Sequence, residues 1–213
     1  PNHGKSEFLD QIMVDLSVMH NWRFGIFSPE NYPIQLHFSK IAAKLLGESF
    51  NSVEDFQVVQ AMDYYRDNFV HIVPKEDNSV ESIVEHATQL VKRYGINGLV
   101  IDAWNKLEHD YSSNETVYIS KQLDVIINFA QKYGVHIFVV AHPTKMQRDK
   151  QTGAYMVPTI YDMAGSAHFY NKSHNGISVY RHFHEDGTST PEVFVQKVKF
   201  KHWGRQGSLM LQY

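Results

Sequence analysis

Two short apolar runs, Gly98-Leu-Val-Ile-Asp102 and Val135-His-Ile-Phe-Val-Val-Ala141, constrain the fold of this chain more than any other feature. Each is rich in branched residues and too short for a helix, as expected for strands buried on both faces. Between them, Thr116 to Tyr133 repeats its apolar residues at helical spacing. Strands alternating with helices are the signature of a largely parallel sheet covered by helices.

The remainder extends that pattern and then breaks it. Ser6 to His20 reads as a helix, with Phe8, Leu9, Ile12, Met13 and Leu16 on one stripe. Arg23 to Ser28 is a short strand, Ile34 to Leu46 and Val53 to Asn68 are helices, and Val70 to Val73 is another short strand. Val80 to Tyr94 is a helix stopped by Gly95. Ile177 to Phe183, Glu192 to Lys201 and Ser208 to Tyr213 read as strands, with a turn at Asp186-Gly187. The expectation is an α/β domain with a mostly parallel sheet that finishes in an antiparallel section. No repeat, low-complexity tract or linker divides residues 1–213, so a single domain is expected.

Bulk properties exclude several function classes. No run approaches the roughly 18 apolar residues of a membrane span, and the first ten residues lack the apolar stretch of a secretion signal. The absence of cysteine excludes disulfides and thiolate zinc sites and makes cytosol the default compartment. A net charge of −3 argues against a wholly basic nucleic-acid binder, so any such contact must come from local patches. His182 and His184 flank Phe183 on one strand face; an exposed polar face is preferred there to a metal site.

The opening residues carry chemistry. Pro1-Asn-His-Gly-Lys-Ser6 matches the second half of G-x-x-x-x-G-K-[ST] and leads into a helix. Gly4 lets the backbone curl so that its N–H groups face phosphate oxygens. Lys5 would reach the β- and γ-phosphates, and the Ser6 hydroxyl would bind Mg²⁺. The helix N-terminus adds its dipole. Asn2, His3, Gly4, Lys5, Ser6 and Glu7 are therefore the candidate nucleotide-contacting set. The motif's first glycine would fall two positions before Pro1, which leads us to expect a fragment of a longer protein lacking the first loop glycine and its strand.

Three further residues stand at strand ends. Asp102 closes an apolar strand and can hold a magnesium water shell, or else serve as a helix N-cap or turn residue. Glu30, in Phe27-Ser-Pro-Glu-Asn31, can orient or deprotonate an attacking water, or be a surface loop glutamate. His142 can sense a γ-phosphate, or be a satisfied structural histidine.

Taken with Asp162-Met-Ala-Gly-Ser-Ala167 and Lys197-Val-Lys-Phe-Lys-His-Trp-Gly-Arg-Gln-Gly207, these pieces resemble the C-terminal RecA-like motor domain of DnaB-family replicative helicases, in particular the phage primase–helicase and Twinkle branch. The resemblance spans nearly the whole chain. It implies a RecA-like P-loop NTPase core, ATP or another NTP with Mg²⁺, single-stranded DNA, a homo-oligomeric ring (a hexamer by family), and a primase domain or partner. It implies Lys5 and Ser6 on phosphate and metal, Asp102 on metal, Glu30 as catalytic base and His142 as sensor. It also implies 5′-to-3′ translocation, and a phage, bacterial or mitochondrial-matrix setting.

The resemblance further implies that the loop from Pro143 to Pro158 lines the ring channel and meets DNA through Lys145, Arg148 and Lys150; an ordinary solvated loop is the alternative. It also implies a Lys-x-Arg pair reaching a neighbour's nucleotide. This chain reads Lys197-Val-Lys199 there, and lysine keeps the charge but loses the planar fork. Lys199 is the favoured finger; Arg205 is the substitute, and an edge strand protected by lysines the competing reading. Two rival functions stay open: a filament-forming RecA-like recombinase-type ATPase, and a non-hydrolysing nucleotide-binding assembly module.

Overall fold

In the computed structural model, residues 3–109, 114–143, 148, 155–163, 167–184 and 186–211 are described. The chain divides into two compact units. One comprises Leu9–Asp110 and Asp124–Val140; the other comprises Pro1–Phe8, Tyr111–Leu123 and Ala141–Tyr213.

The first unit is built on a parallel sheet. Its strands are β1 (Phe24–Phe27), β2 (Phe69–His71), β3 (Gly98–Asp102) and β4 (His136–Val140), in the order β2-β1-β3-β4. Helix α1 (Lys5–His20) enters it, followed by α2 (Ile34–Leu46), α3 (Asp55–Asn68) and α4 (Val80–Tyr94), and α5 (Glu115–Tyr133) leads into β4. Leu9, Met13 and Val14 of α1, Ile41 of α2 and Tyr65 of α3 pack with Phe24, Ile26, Phe69 and Val100 into one buried core. Because side chains alternate along a strand, Gly25 faces the other way, toward Leu90 and Ile96.

Helix α4 shows how its boundaries are written locally. Ser79 accepts a hydrogen bond from the Ser82 amide at the N-terminus, and Val80, Ile83 and Ala87 form the buried stripe. At the other end Gly95 adopts φ +64° and closes the last turn through its N–H on the Val91 carbonyl. Helix α3 starts at Asp55, later than the apolar pattern suggests, because Glu54 and Gln57 form a reciprocal cap there.

Strand β3 is buried at all five positions, as its composition predicts. Strand β4 is not: His136 is exposed and the next four residues are half-buried. It is the edge of this sheet, so an apolar run alone did not imply cover on both faces. Strand β2 begins and ends earlier than expected, at Phe69 and His71.

The second unit carries α6 (His168–Lys172) and an antiparallel sheet, β5 (Asn175–Phe183), β6 (Ser189–Val198) and β7 (Gly207–Met210), paired in that order. Gly187, at φ +82°, turns β5 into β6. The expected strand to Lys201 stops at Val198, where the chain enters a turn; Lys199 and Lys201 lie beyond it.

A buried polar group interrupts the apolar core of the first unit. His37 of α2 donates from Nε2 to Asp10 of α1 at 3.0 Å, with both residues almost fully buried. His71 Nε2 lies 3.4 Å from His37 Nδ1 and 2.5 Å from the Tyr65 hydroxyl. Burial raises the Tyr65 phenol, with the Asp10 carboxylate a second cause, so its O–H donates to a neutral His71.

Two predictions come from this packing. A Cβ at Gly98 would lie 2.5 Å from two ring carbons of the fully buried Phe24. Gly98→Ala should therefore cost about 1–3 kcal/mol in a urea titration. Burial, and secondarily His37, holds His71 down at about 4, against 6.5 when unfolded. Between those values the unfolded chain binds the extra proton, so this stability is present above pH 6.5 and lost as pH falls toward 4. The loss should approach about 3 kcal/mol, and His71→Gln should flatten that part of the profile.

Candidate functional site

In the parallel unit, the carboxylates stand at neighbouring strand tips. β1 and β3 run in parallel with Phe27 opposite Ile101, so Ser28 and Asp102 are the next residues along adjacent strands. The Ser28 hydroxyl donates to Asp102 Oδ2 at 3.4 Å. Asn31 Nδ2 donates to the Ser28 hydroxyl at 3.0 Å, and Lys40 Nζ of α2 reaches Asn31 Oδ1 at 3.2 Å. Glu30 occupies the tight turn between them, Pro29–Asn31.

The two carboxylates sit in different surroundings. Asp102 is 3% exposed, on a strand sealed by its neighbours. It does not cap the turn that follows, because Ala103 holds that position. Glu30 faces solvent and pairs with Lys106 Nζ at 3.5 Å, with both side chains more than a third exposed. Such a pair holds loosely and leaves the carboxylate available. The sequence reading overlooked Ser28, Asn31 and Lys106. The local signal for Ser28 was its place directly after the apolar run Phe24–Phe27; its contact with Asp102 depends on strand pairing.

The donors here are oxygen atoms: a buried carboxylate and a hydroxyl. That set fits Mg²⁺, a hard cation usually bound by one or two carboxylates together with water and substrate phosphates. Among the described residues no group of three or more ligating side chains forms a cage of its own.

In the antiparallel unit, Gly4 adopts φ +89°, a conformation natural to glycine, and its carbonyl accepts the Phe8 N–H at 2.9 Å as the helix begins. Lys5, Ser6 and Glu7 form that first turn and are half-buried. His3 accepts the Arg181 amide at Nδ1 (3.0 Å) and stacks on Tyr180, with ring centroids 5.0 Å apart. Burial, followed by the charges of Lys5 and Arg181, lowers its pKa, which suits an acceptor nitrogen. A cavity of about 130 Å³ has His3, Lys5, His142, Thr159 and Ser178 in its wall. The structure thus brings Lys5 and His142, far apart in sequence, to one cavity.

Other candidates fare differently. Arg148 is bridged to Tyr155, donates to its hydroxyl at 2.9 Å and lies over its ring. Asn2, Lys145 and Lys150 lie outside the described residues, as do 164–166 of the stretch from Asp162 to Ala167. Asp162 accepts from the Thr159 amide and hydroxyl at 2.7 Å each. His182 pairs with Glu192 and His184 with Thr190 across the strands.

No family model matches the chain. The Twinkle homolog protein, chloroplastic/mitochondrial, of Arabidopsis thaliana is 35% identical over 228 residues, an alignment that takes in 100% of this chain and 32% of that protein. The chain therefore spans about a third of the length of that relative. Among solved structures, an ATPase domain superposes with a TM-score of 0.75 at 19% identity, covering 99% of this chain and 78% of that one. The fold is that of RecA-like P-loop NTPases. The chain resembles DnaB-family motor domains over its whole length.

That likeness sharpens the question of the basic hairpin. Lys197 and Lys199 were expected side by side on a strand. Instead Lys197 Nζ is turned inward: it donates to the carbonyls of Tyr170 and Ser173 at the end of α6 and lies over the Tyr170 ring. Burial, then Lys199, lowers its pKa. Lys199 and Arg205 are exposed on the turn between β6 and β7. Lys197→Met should therefore lower thermal stability by about 1–3 kcal/mol through two orphaned carbonyls. Lys199→Met should change it by less than about 0.5 kcal/mol. Melting curves of the two variants check this division.

Proposed function

We propose that this chain is the NTP-hydrolysing motor domain of a ring-forming DNA helicase. The observation that carries the reading is the pairing of Asp102 and the Glu30 turn at adjacent tips of parallel strands, in a chain whose first helix opens with Lys-Ser directly after Gly4. In open α/β sheets, ligands bind beyond the carboxyl ends of the strands.

On this reading Lys5 neutralises the β- and γ-phosphates, and the N–H groups of the first turn of α1 complete the cradle. Ser6 and Asp102 would hold Mg²⁺, which supplies charge neutralisation on the triphosphate when bound. Glu30, on its solvent-facing turn, accepts the proton of the attacking water and aligns it in line with the leaving oxygen. His142 responds to the terminal phosphate and passes its presence to the loop that follows. Lys145, Arg148 and Lys150 grip backbone phosphates of single-stranded DNA with little sequence preference. Lys199, or Arg205 from the same turn, reaches the nucleotide of the next subunit in a hexameric ring. Translocation from 5′ to 3′ and a primase domain or partner belong to the same proposal.

Steady-state NTP hydrolysis, with and without single-stranded DNA, tests it. Wild-type turnover should rise with DNA and fall as salt increases. Glu30→Gln should lower turnover by about 10²–10⁴-fold while still binding a fluorescent nucleotide. Lys5→Ala should lose that binding. Nucleotide binding without any turnover, DNA present or absent, would replace the motor with an assembly module. DNA-stimulated turnover without strand separation would favour the recombinase-type ATPase.

A further inference from the structure

We propose that Asp10, His37 and Lys40 are positioning residues that set the Glu30 turn against Asp102 by pinning α2 to α1. This rests on the reading of Glu30 as the base. The observation behind it is two sets of polar contacts within the parallel unit, joined through the backbone of α2. Asp10 of α1 accepts a hydrogen bond from His37 Nε2 at 3.0 Å, and His37 and Lys40 stand three residues apart on α2. Lys40 holds Asn31, Asn31 holds Ser28, and Ser28 donates to Asp102.

Helix α2 needs such a tether. Its N-cap position is Pro33, which offers no side-chain cap, and it begins three residues after the turn that carries Glu30. Its buried face presents Ile41 and Ala42 to the core, while Leu36 is exposed. Ile34, Phe38 and Leu45 pack against the same core, but apolar contact of that kind carries no preferred direction of its own. A hydrogen bond is sensitive to both distance and angle. The His37–Asp10 bond thus fixes where α2 starts, and with it the turn just before.

The pair is also costly to bury. Asp10 and His37 are 2% and 1% exposed, and Asp10 Oδ2 is a buried oxygen with no hydrogen-bond partner among the described residues. Apolar side chains would fill this space more simply if packing were all that mattered. His71, itself bonded to the Tyr65 hydroxyl, closes the other side of the His37 ring, edge-on at 5.2 Å. The imidazole is therefore confined from two directions.

The test compares His37→Leu, His37→Gln and Lys40→Met in the full chain. Glutamine can keep a donor on Asp10, and leucine cannot. His37→Leu and Lys40→Met should lower kcat about tenfold or more with KM within about twofold, and His37→Gln should return to within about threefold of wild type. Amide hydrogen exchange over residues 30–40 should quicken in His37→Leu and Lys40→Met and not in Glu30→Gln. Lys40 lies outside the buried pair, so its variant decides the matter where His37→Leu does not fold. Wild-type kcat and exchange in Lys40→Met would overturn the proposal. If Glu30→Gln kept full turnover, the base assignment would fall, and exchange alone would still judge the tether.

Discussion

The parallel pairing of β1 with β3 decides where the chemistry of the parallel-sheet unit can lie. With Phe27 opposite Ile101, whatever follows β1 emerges beside Asp102. Strand β3 is sealed along its length, so Asp102 cannot swing away from its tip. The turn after β1 has no such cover, and Glu30 projects into solvent beside Lys106. One register therefore yields a fixed buried carboxylate next to an accessible one. A metal ligand benefits from fixity, while a base must meet water; the division follows from burial before any role is assigned.

What could be read from the sequence was what neighbouring residues dictate. The Ser79 cap, the Val80–Ile83–Ala87 stripe and Gly95 specify α4 without help from elsewhere. The run ending in Asp102 is buried at every position, as its branched apolar residues led us to expect. The run from Val135 looked the same and was not, because the order of strands in a sheet is a tertiary property. The contacts of Ser28, Asn31 and Lys106 were hidden for the same reason: each depends on which strand or turn lies alongside. His37 and Asp10 are 27 residues apart on different helices, and among 13 histidines nothing local marks His37 as buried.

The basic hairpin shows how the end of one strand changes a functional reading. Residues two apart share a face only while the strand continues. Strand β6 stops at Val198, so Lys197 stays within the fold and Lys199 leaves it. Lys197 then satisfies carbonyls at the end of α6, a structural duty suited to a lysine with three rotatable donors. The charges left to reach outward on this turn are Lys199, Lys201 and Arg205. Arginine would present a planar fork to a phosphoryl group and lysine only a point charge, which gives Arg205 more weight than its place in the motif alone suggests.

A tight turn can hold a catalytic carboxylate only as well as its flanks are held. One flank of the Glu30 turn is β1, locked between β2 and β3 by backbone hydrogen bonds. The other is α2, which the sheet holds only through apolar packing at Ile41 and its neighbours. Burying Asp10 and His37 is unfavourable in itself, and that cost becomes intelligible if direction rather than affinity is what the contact provides. The helix beginning at Lys5 and the helix following Glu30 are then joined by the Asp10–His37 bond. Any shift of α1 along its axis must strain Asp10 against His37, and through Lys40 and Asn31 that strain arrives at Ser28, one residue from the end of β1.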